Sequence, residues 1–196
     1  MTKLLLSKST LTQQKNNLAS YKKFVPALDL KRQQLRLAIK ELERKIDDVN
    51  RDHDQAVNWL HGNIPMVSVY SMADDLNLRV IDVEYRPWVV AGSKLKMIDS
   101  IRYSQPNTPI NAEFFWYFRY LQQLQTILRL QLELRVLKEN ILILTAALKK
   151  VTQRVNLFEK ILIPEAVENI RKIQIYLGDR AREAVVTSKI AKSRHK

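Results

Sequence analysis

Residues 127–164 run ILRLQLELRVLKENILILTAALKKVTQRVNLFEKILIP. Apolar side chains recur in this stretch on two seven-residue tracks. One track is Ile127, Leu134, Ile141, Leu148, Val155 and Leu162; the other is Leu130, Leu137, Leu144, Val151 and Phe158. The spacing alternates three and four, which places both tracks on one stripe of an α-helix, the a and d positions of a coiled-coil seam. Such a stripe needs a partner, because in water it would forfeit the burial that stabilises it.

The first sixty residues supply that partner. Leu4, Leu11, Leu18, Val25, Ile39, Ile46 and Leu60 share one heptad track, and Tyr21, Leu28, Leu35, Leu42, Val49 and Ala56 share the other. Arg32 and His53 are the polar residues on the first track, and His53 is expected as a register residue. Pro26 lies inside the pattern. A proline in a helix interior costs roughly 3 kcal/mol, yet the heptad keeps its phase across it, so a kink is expected, with a separate amino-terminal helix as the alternative.

Between the two seams the texture changes. Gly62 and Pro65 mark the end of the first helix, Gly62 as a left-handed closing residue. Pro65, Pro87, Pro106 and Pro109 all fall in this region, and no heptad crosses it. Leu78, Val80, Val83 and Tyr85 predict one strand and Trp88, Val89 and Val90 begin another, turning near Ala91-Gly92-Ser93; a short helix is expected near Ser71 to Asp75. The fold class that results is mainly α. It is a long antiparallel two-helix coiled coil, with a small central insert holding a short helix and a β-hairpin. The expected divisions are 1–61 for the first helix, 62–111 for the insert and 112–196 for the second helix and a basic tail. Asn111 is the expected cap of that second helix. Pro164 should bend it.

The second helix opens on Phe114, Phe115, Trp116, Tyr117, Phe118 and Tyr120, and six aromatics in seven positions exceed what one seam absorbs. Leu121, Leu128, Leu132, Val136, Leu142 and Ile143 also fall off the a and d tracks. They form a second apolar face, covered either by a third partner or by the chain's own insert.

The chain has 196 residues, three glycines, no cysteine and a formal net charge of +13. Few glycines with abundant Leu, Lys, Gln and Arg favour long helices. Without cysteine there is no disulfide framework, thiolate metal site or cysteine nucleophile. The charge calls for a partner of negative surface. No run approaches the roughly 20 apolar residues of a membrane span, and the leucines at 4–6 are too short for a signal core, so a cytoplasmic protein is expected. The charge gathers at the two chain ends. Lys3, Lys8 and Lys15 precede the first acidic residue, Asp29, and Arg180, Arg182 and Lys189 lie in the tail. In an antiparallel pair these ends converge on one basic tip.

Sites for chemistry are missing. Gly92-Ser93-Lys94 reverses the order of a phosphate loop, and no Gly-x-Gly occurs. His53 and His61 are eight apart, the wrong spacing for a two-histidine metal helix. Asp47-Asp48 and Asp74-Asp75 are adjacent pairs that point to different helix faces. The expectation is no enzyme, no metal and no cofactor.

At the carboxyl end, Thr152-Gln153-Arg154-Val155-Asn156-Leu157-Phe158-Glu159-Lys160-Ile161-Leu162-Ile163-Pro164 resembles a signature of the D-subunit family of V-type (archaeal-type) rotary ATPases, the central rotor stalk. Its family-motif positions here are Arg154, Val155, Asn156, Glu159, Ile163 and Pro164. The stretches from Thr2 to Leu11 and from Tyr21 to Leu35 are similar to that family's opening helix, and Val89 to Gly92 more faintly to its hairpin. The resemblance implies a non-catalytic shaft that carries rotation between a catalytic hexamer and a membrane rotor. The heptads themselves run the seam of that shaft through Leu11, Leu18, Leu28, Leu35, Leu42, Leu130, Leu137, Leu144, Val151 and Phe158. The resemblance also implies that the joined ends, with Lys3, Lys8, Lys15, Arg180, Arg182 and Lys189, enter the hexamer of catalytic and regulatory subunits (A and B). The insert would face the membrane-side funnel subunit (C/d), and Leu121, Leu128, Leu132 and Val136 would hold the small companion stalk subunit (F). Outside the resemblance, two rivals remain. One is a basic nucleic-acid-binding coiled coil, against which the dispersal of the charge argues. The other is a coiled-coil scaffold unconnected with an ATPase.

Overall fold

The structure is a computed structural model that describes residues 5–63, 78–104 and 115–194, without the side chains of 115–117 and 194. The short helix expected near Ser71 to Asp75 and the cap expected at Asn111 lie outside the described residues. Three helices and one hairpin make up the rest: α1 (Lys8–Asn63), β1 (Val80–Val90), β2 (Ser93–Tyr103), α2 (Phe115–Leu157), a π-helical turn (Phe158–Leu162) and α3 (Ile163–Arg194). The chain divides into two compact units. Unit 1 is Met1–Gln33 with Lys149–Lys196, and unit 2 is Gln34–Leu148.

The 56 residues of α1 extend about 84 Å at 1.5 Å per residue. Ser7 caps its start, with Oγ accepting the Thr10 N–H at 3.1 Å. The helix is continuous through Pro26, so there is no separate amino-terminal helix. Proline forfeits one backbone bond, and the apolar seam on either side outweighs that loss. Gly62 does not close the helix, for among the described residues only Ala91 and Gly92 have positive φ. The helix runs to Asn63, whose Nδ2 donates to the Trp59 carbonyl one turn back at 2.9 Å.

In unit 2 the α1 core is a heptad: Leu35, Leu42, Val49 and Ala56 are all buried, with Ala38 between the first two. From α2 come Ile127, Val136, Leu137 and Leu144. Gln123 Nε2 donates to the Ala56 carbonyl at 3.1 Å. Gln131 Nε2 meets His53 Nε2 at 3.2 Å. Ascending α2 therefore descends α1, and the pair is antiparallel. His53, expected as a register residue, sits at this cross-helix contact.

The hairpin is one long antiparallel pair. Trp88 to Val90 do not open a second strand; they finish β1, which passes through Pro87. Pro87 lies opposite Lys96, and the Lys96 N–H and carbonyl bond outward to α2 rather than to β1. The missing N–H of Pro87 therefore falls on the free outer edge of β1, where no ladder bond is lost. The turn has two residues, Ala91 (φ 47°) and Gly92 (φ 77°), both left-handed as such a hairpin turn demands. Register shifts fall between Val80 and Asp82 and between Glu84 and Tyr85.

In unit 1 the buried positions are Val151, Val155, Ala166 and Ile173. The Tyr21 and Phe158 rings meet at 5.4 Å between centroids, tilted 55°. Pro164 does not end the second helix. The π-helical turn precedes it, with the Ile163 N–H bonded to the Phe158 carbonyl. A wider turn relieves the clash a proline makes with the carbonyl four residues before it. It also holds one extra residue. Up to Phe158 the seam repeats by seven, but the next buried residues are Ala166 and Ile173, one position later than the heptad requires.

Candidate functional site

The hairpin is fastened to α2 by a polar clamp. Asn140, 1% exposed, is the one buried polar residue of the described core. Its Nδ2 donates to the Lys96 carbonyl at 2.8 Å, and its Oδ1 accepts the Lys96 N–H at 3.2 Å. One side chain thus continues the strand ladder beyond the edge of β2. Lys96 Nζ then pairs with Glu139 at 2.7 Å. The hydrogen bond to Glu139 holds the Lys96 ammonium above its ordinary value. At the hairpin's base Tyr103 Oη donates to the Gln125 carbonyl at 3.2 Å, and burial raises that phenol's pKa. Lys96 to Tyr103 spans about 23 Å along a strand, and Gln125 to Asn140 about 22 Å along a helix. The strand therefore lies lengthwise against α2. On α1, Lys45 Nζ stands 6.0 Å from the Trp88 ring.

Of the expected seam, Leu35, Leu42, Leu137, Leu144 and Val151 are buried, whereas Leu11, Leu18, Leu28, Leu130 and Phe158 are half-buried. Of the motif, Val155 is wholly buried and Ile163 half-buried. Arg154, Asn156, Glu159 and Pro164 face outward. Among the described residues Arg154, Asn156 and Glu159 make no side-chain hydrogen bond or ion pair. Of the off-seam face, Leu121, Leu128 and Leu132 are half-buried, and Val136, 5% exposed, is core of unit 2 and not open surface. The open positions are Leu142 at 70% and Ile143 at 42%. Of the basic tip, Lys3 lies outside the described residues, and Lys8, Lys15, Arg180, Arg182 and Lys189 are exposed. Arg182 pairs with Asp179 at 2.9 Å, and Arg180 lies over the Tyr176 ring.

Every described side chain from 181 to 193 is exposed, including Val185, Val186 and Ile190. Ala184, Val185, Ser188, Lys189 and Lys192 line a shallow depression on this one helix. A helix with no tertiary partner is marginal in water, and among the described residues none covers this end. Asn140 is the residue the heptads hid. It lies on neither track, and it follows Lys138 and Glu139 directly before the apolar run Ile141 to Leu144, so it reads as one more polar residue of a solvated face. No group of metal-ligating side chains occurs among the described residues, and none of their helices is long and apolar enough to cross a membrane.

Two long antiparallel helices, a clamped hairpin and an exposed basic helical end define an antiparallel coiled-coil protein. The model of the ATP synthase D-subunit family matches residues 10–193. The V-type ATP synthase D subunit of Borreliella burgdorferi is 34% identical over 199 residues, covering 98% of this chain and 95% of that protein. Those of Chlamydia pneumoniae and Chlamydia muridarum are each 27% identical, covering 96% of this chain and 91% and 94% of theirs. The chain belongs to the ATP synthase D-subunit family. It is a non-catalytic central-stalk subunit that transmits rotation in a V-type ATPase complex, and its partners are other subunits of that complex.

Proposed function

We propose that α3 beyond Gly178, together with the start of α1, is the end of the shaft that turns inside the hexamer of catalytic and regulatory subunits (A and B). The observation that carries this reading is the unbroken exposure of residues 181–193 on a helix that nonetheless presents Val185, Val186 and Ile190. A turning end must bind without locking. Diffuse basic contacts and aliphatic side chains suit that, because a few deep anchors would trap one angle. Lys8, Lys15, Arg180, Arg182 and Lys189 are the candidate contacts, with Lys3 by sequence. The hairpin half faces the membrane-side funnel subunit (C/d). The small companion stalk subunit (F) takes the off-seam face of α2, centred on Leu142 and Ile143 and flanked by Leu121, Leu128 and Leu132. The protein then works on the cytoplasmic side, peripheral to the membrane as part of the complex, with no nucleic-acid partner.

Co-purification tests this directly. The tagged chain should bring down the catalytic and regulatory subunits in stoichiometric amount. Recovery of the folded chain without them, or saturable duplex-DNA binding at physiological salt, would overturn it.

A further inference from the structure

The two units differ sharply in charge. Of the 33 Lys and Arg, 19 fall in unit 1 and 14 in unit 2; of the 20 Asp and Glu, 6 and 14. Unit 2 is therefore formally neutral, and the whole +13 resides in unit 1. The pairing differs too. Unit 2 pairs Arg51 with Asp48, Arg86 with Asp99, Lys96 with Glu139 and Arg102 with Asp82, the last three between different elements. In unit 1 the pairs are Asp29 with Arg32, Glu168 with Lys172 and Asp179 with Arg182, all within single helices. Lys8, Lys15 and Lys22 have no counter-ion among the described residues, and all three are exposed.

These three lysines are spaced by seven. On a helix that sets them on one stripe, about 10.5 Å apart and drifting only about 20° per step. The interval exceeds the Debye length of about 8 Å at physiological salt, so they repel one another weakly and act as separate contact points. Exposed apolar side chains, Leu157, Ile161, Val167 and Ile175, are interspersed with the cations of the same unit. A phosphate backbone offers nothing for aliphatic residues to bury against, whereas a protein surface does.

We propose that the Lys8–Lys15–Lys22 stripe docks on acidic side chains of the protein that surrounds unit 1, and that electrostatic attraction steers this half of the shaft into place. The neutral, internally paired unit 2 associates without such steering. The proposal rests on the reading of unit 1 as the inserted end, and supplies the chemistry of its partner.

The test is association of the full-length chain with the purified catalytic and regulatory subunits across a salt series, by stopped flow. The triple variant Lys8→Gln, Lys15→Gln, Lys22→Gln should associate about tenfold more slowly at low salt with a flatter salt dependence. Its circular dichroism and melting temperature should not fall. The matched variant Lys94→Gln, Arg135→Gln, Lys138→Gln, in unit 2, should behave as wild type. Equal rates and salt slopes for the wild type and the unit 1 triple would overturn the stripe's role and leave the shaft reading standing. A wild-type chain that fails to associate at any salt would overturn both. Saturable duplex-DNA binding abolished by the unit 1 triple would assign the stripe to nucleic acid and overturn the acidic-protein partner.

Discussion

Asn140 shows how one side chain governs a supersecondary element. It is buried, and both its amide groups are spent on the backbone of Lys96. A buried polar group left without its partner costs about 1–3 kcal/mol. Asn140→Leu removes the clamp and strands the Lys96 N–H and carbonyl against an apolar neighbour. The variant should lose about 2 kcal/mol by thermal or urea unfolding, and the Lys96 amide should exchange faster than those of the α2 core. Unchanged exchange at Lys96 would mean that Leu95 and the turn alone hold the hairpin down. In the sequence it reads as the last of three polar residues, Lys138-Glu139-Asn140, ahead of Ile141 to Leu144. What it bonds could not follow from periodicity, because its partner lies 44 residues away and is backbone, which every residue carries alike.

At the scale of elements, the hairpin and the π-helical turn each carry a prediction. Arg102 and the Val83 N–H both bond the Asp82 carboxylate and hold its pKa below the ordinary value. A carboxyl depressed in the folded state contributes stability above its unfolded pKa and loses it as pH falls through the folded one. Acidification below the usual aspartate range should therefore loosen the base of the hairpin. Amide exchange at Val83 and Ile101, referred to intrinsic rates, should report it, and Asp82→Asn should abolish that pH dependence. The π-helical turn carries one residue more than the heptad needs, which moves the buried positions to Ala166 and Ile173. Deleting Lys160 together with Pro164→Ala should restore a plain helix with the same face inward, so melting should shift by only a few degrees. Inserting an alanine after Lys160 rotates the downstream face by about 100° and withdraws Ile173 from the core, for a loss of about 2–4 kcal/mol. If the deletion were as damaging as the insertion, the turn would not be what sets the phase.

Across the whole molecule, the division of labour follows surface chemistry. Unit 1 is basic and ends in an uncovered helix; unit 2 is neutral and carries the hairpin. Within unit 2 the described apolar side chains left open on α2 are Phe118, Leu142 and Ile143, and of these Leu142 and Ile143 adjoin the half-buried Leu128 and Leu132 on the off-seam face. Leu142→Asp with Ile143→Asp should therefore weaken capture of the companion stalk protein at least tenfold in a pull-down, with helicity and melting unchanged. Leu128→Asp with Leu132→Asp should weaken capture and also lower the melting temperature. Unchanged capture with the first pair would move the companion site off this face.

The heptads alone determined that two long helices zip together, because a period of seven on both segments admits one stripe on each, and a chain that turns back must pair them antiparallel. Composition excluded a disulfide framework and a cysteine nucleophile, and the motif from Thr152 to Pro164 determined the resemblance. Three things were decided only in three dimensions. Whether Pro87 breaks or completes a strand depends on which way its missing N–H points. Whether Val136 is open or core depends on what packs over it. Where the buried positions fall beyond Pro164 depends on a local change in hydrogen bonding that shifts the seam by one residue. Periodicity specifies a face; what covers that face is a property of chain segments distant in sequence, and only their packing decides it.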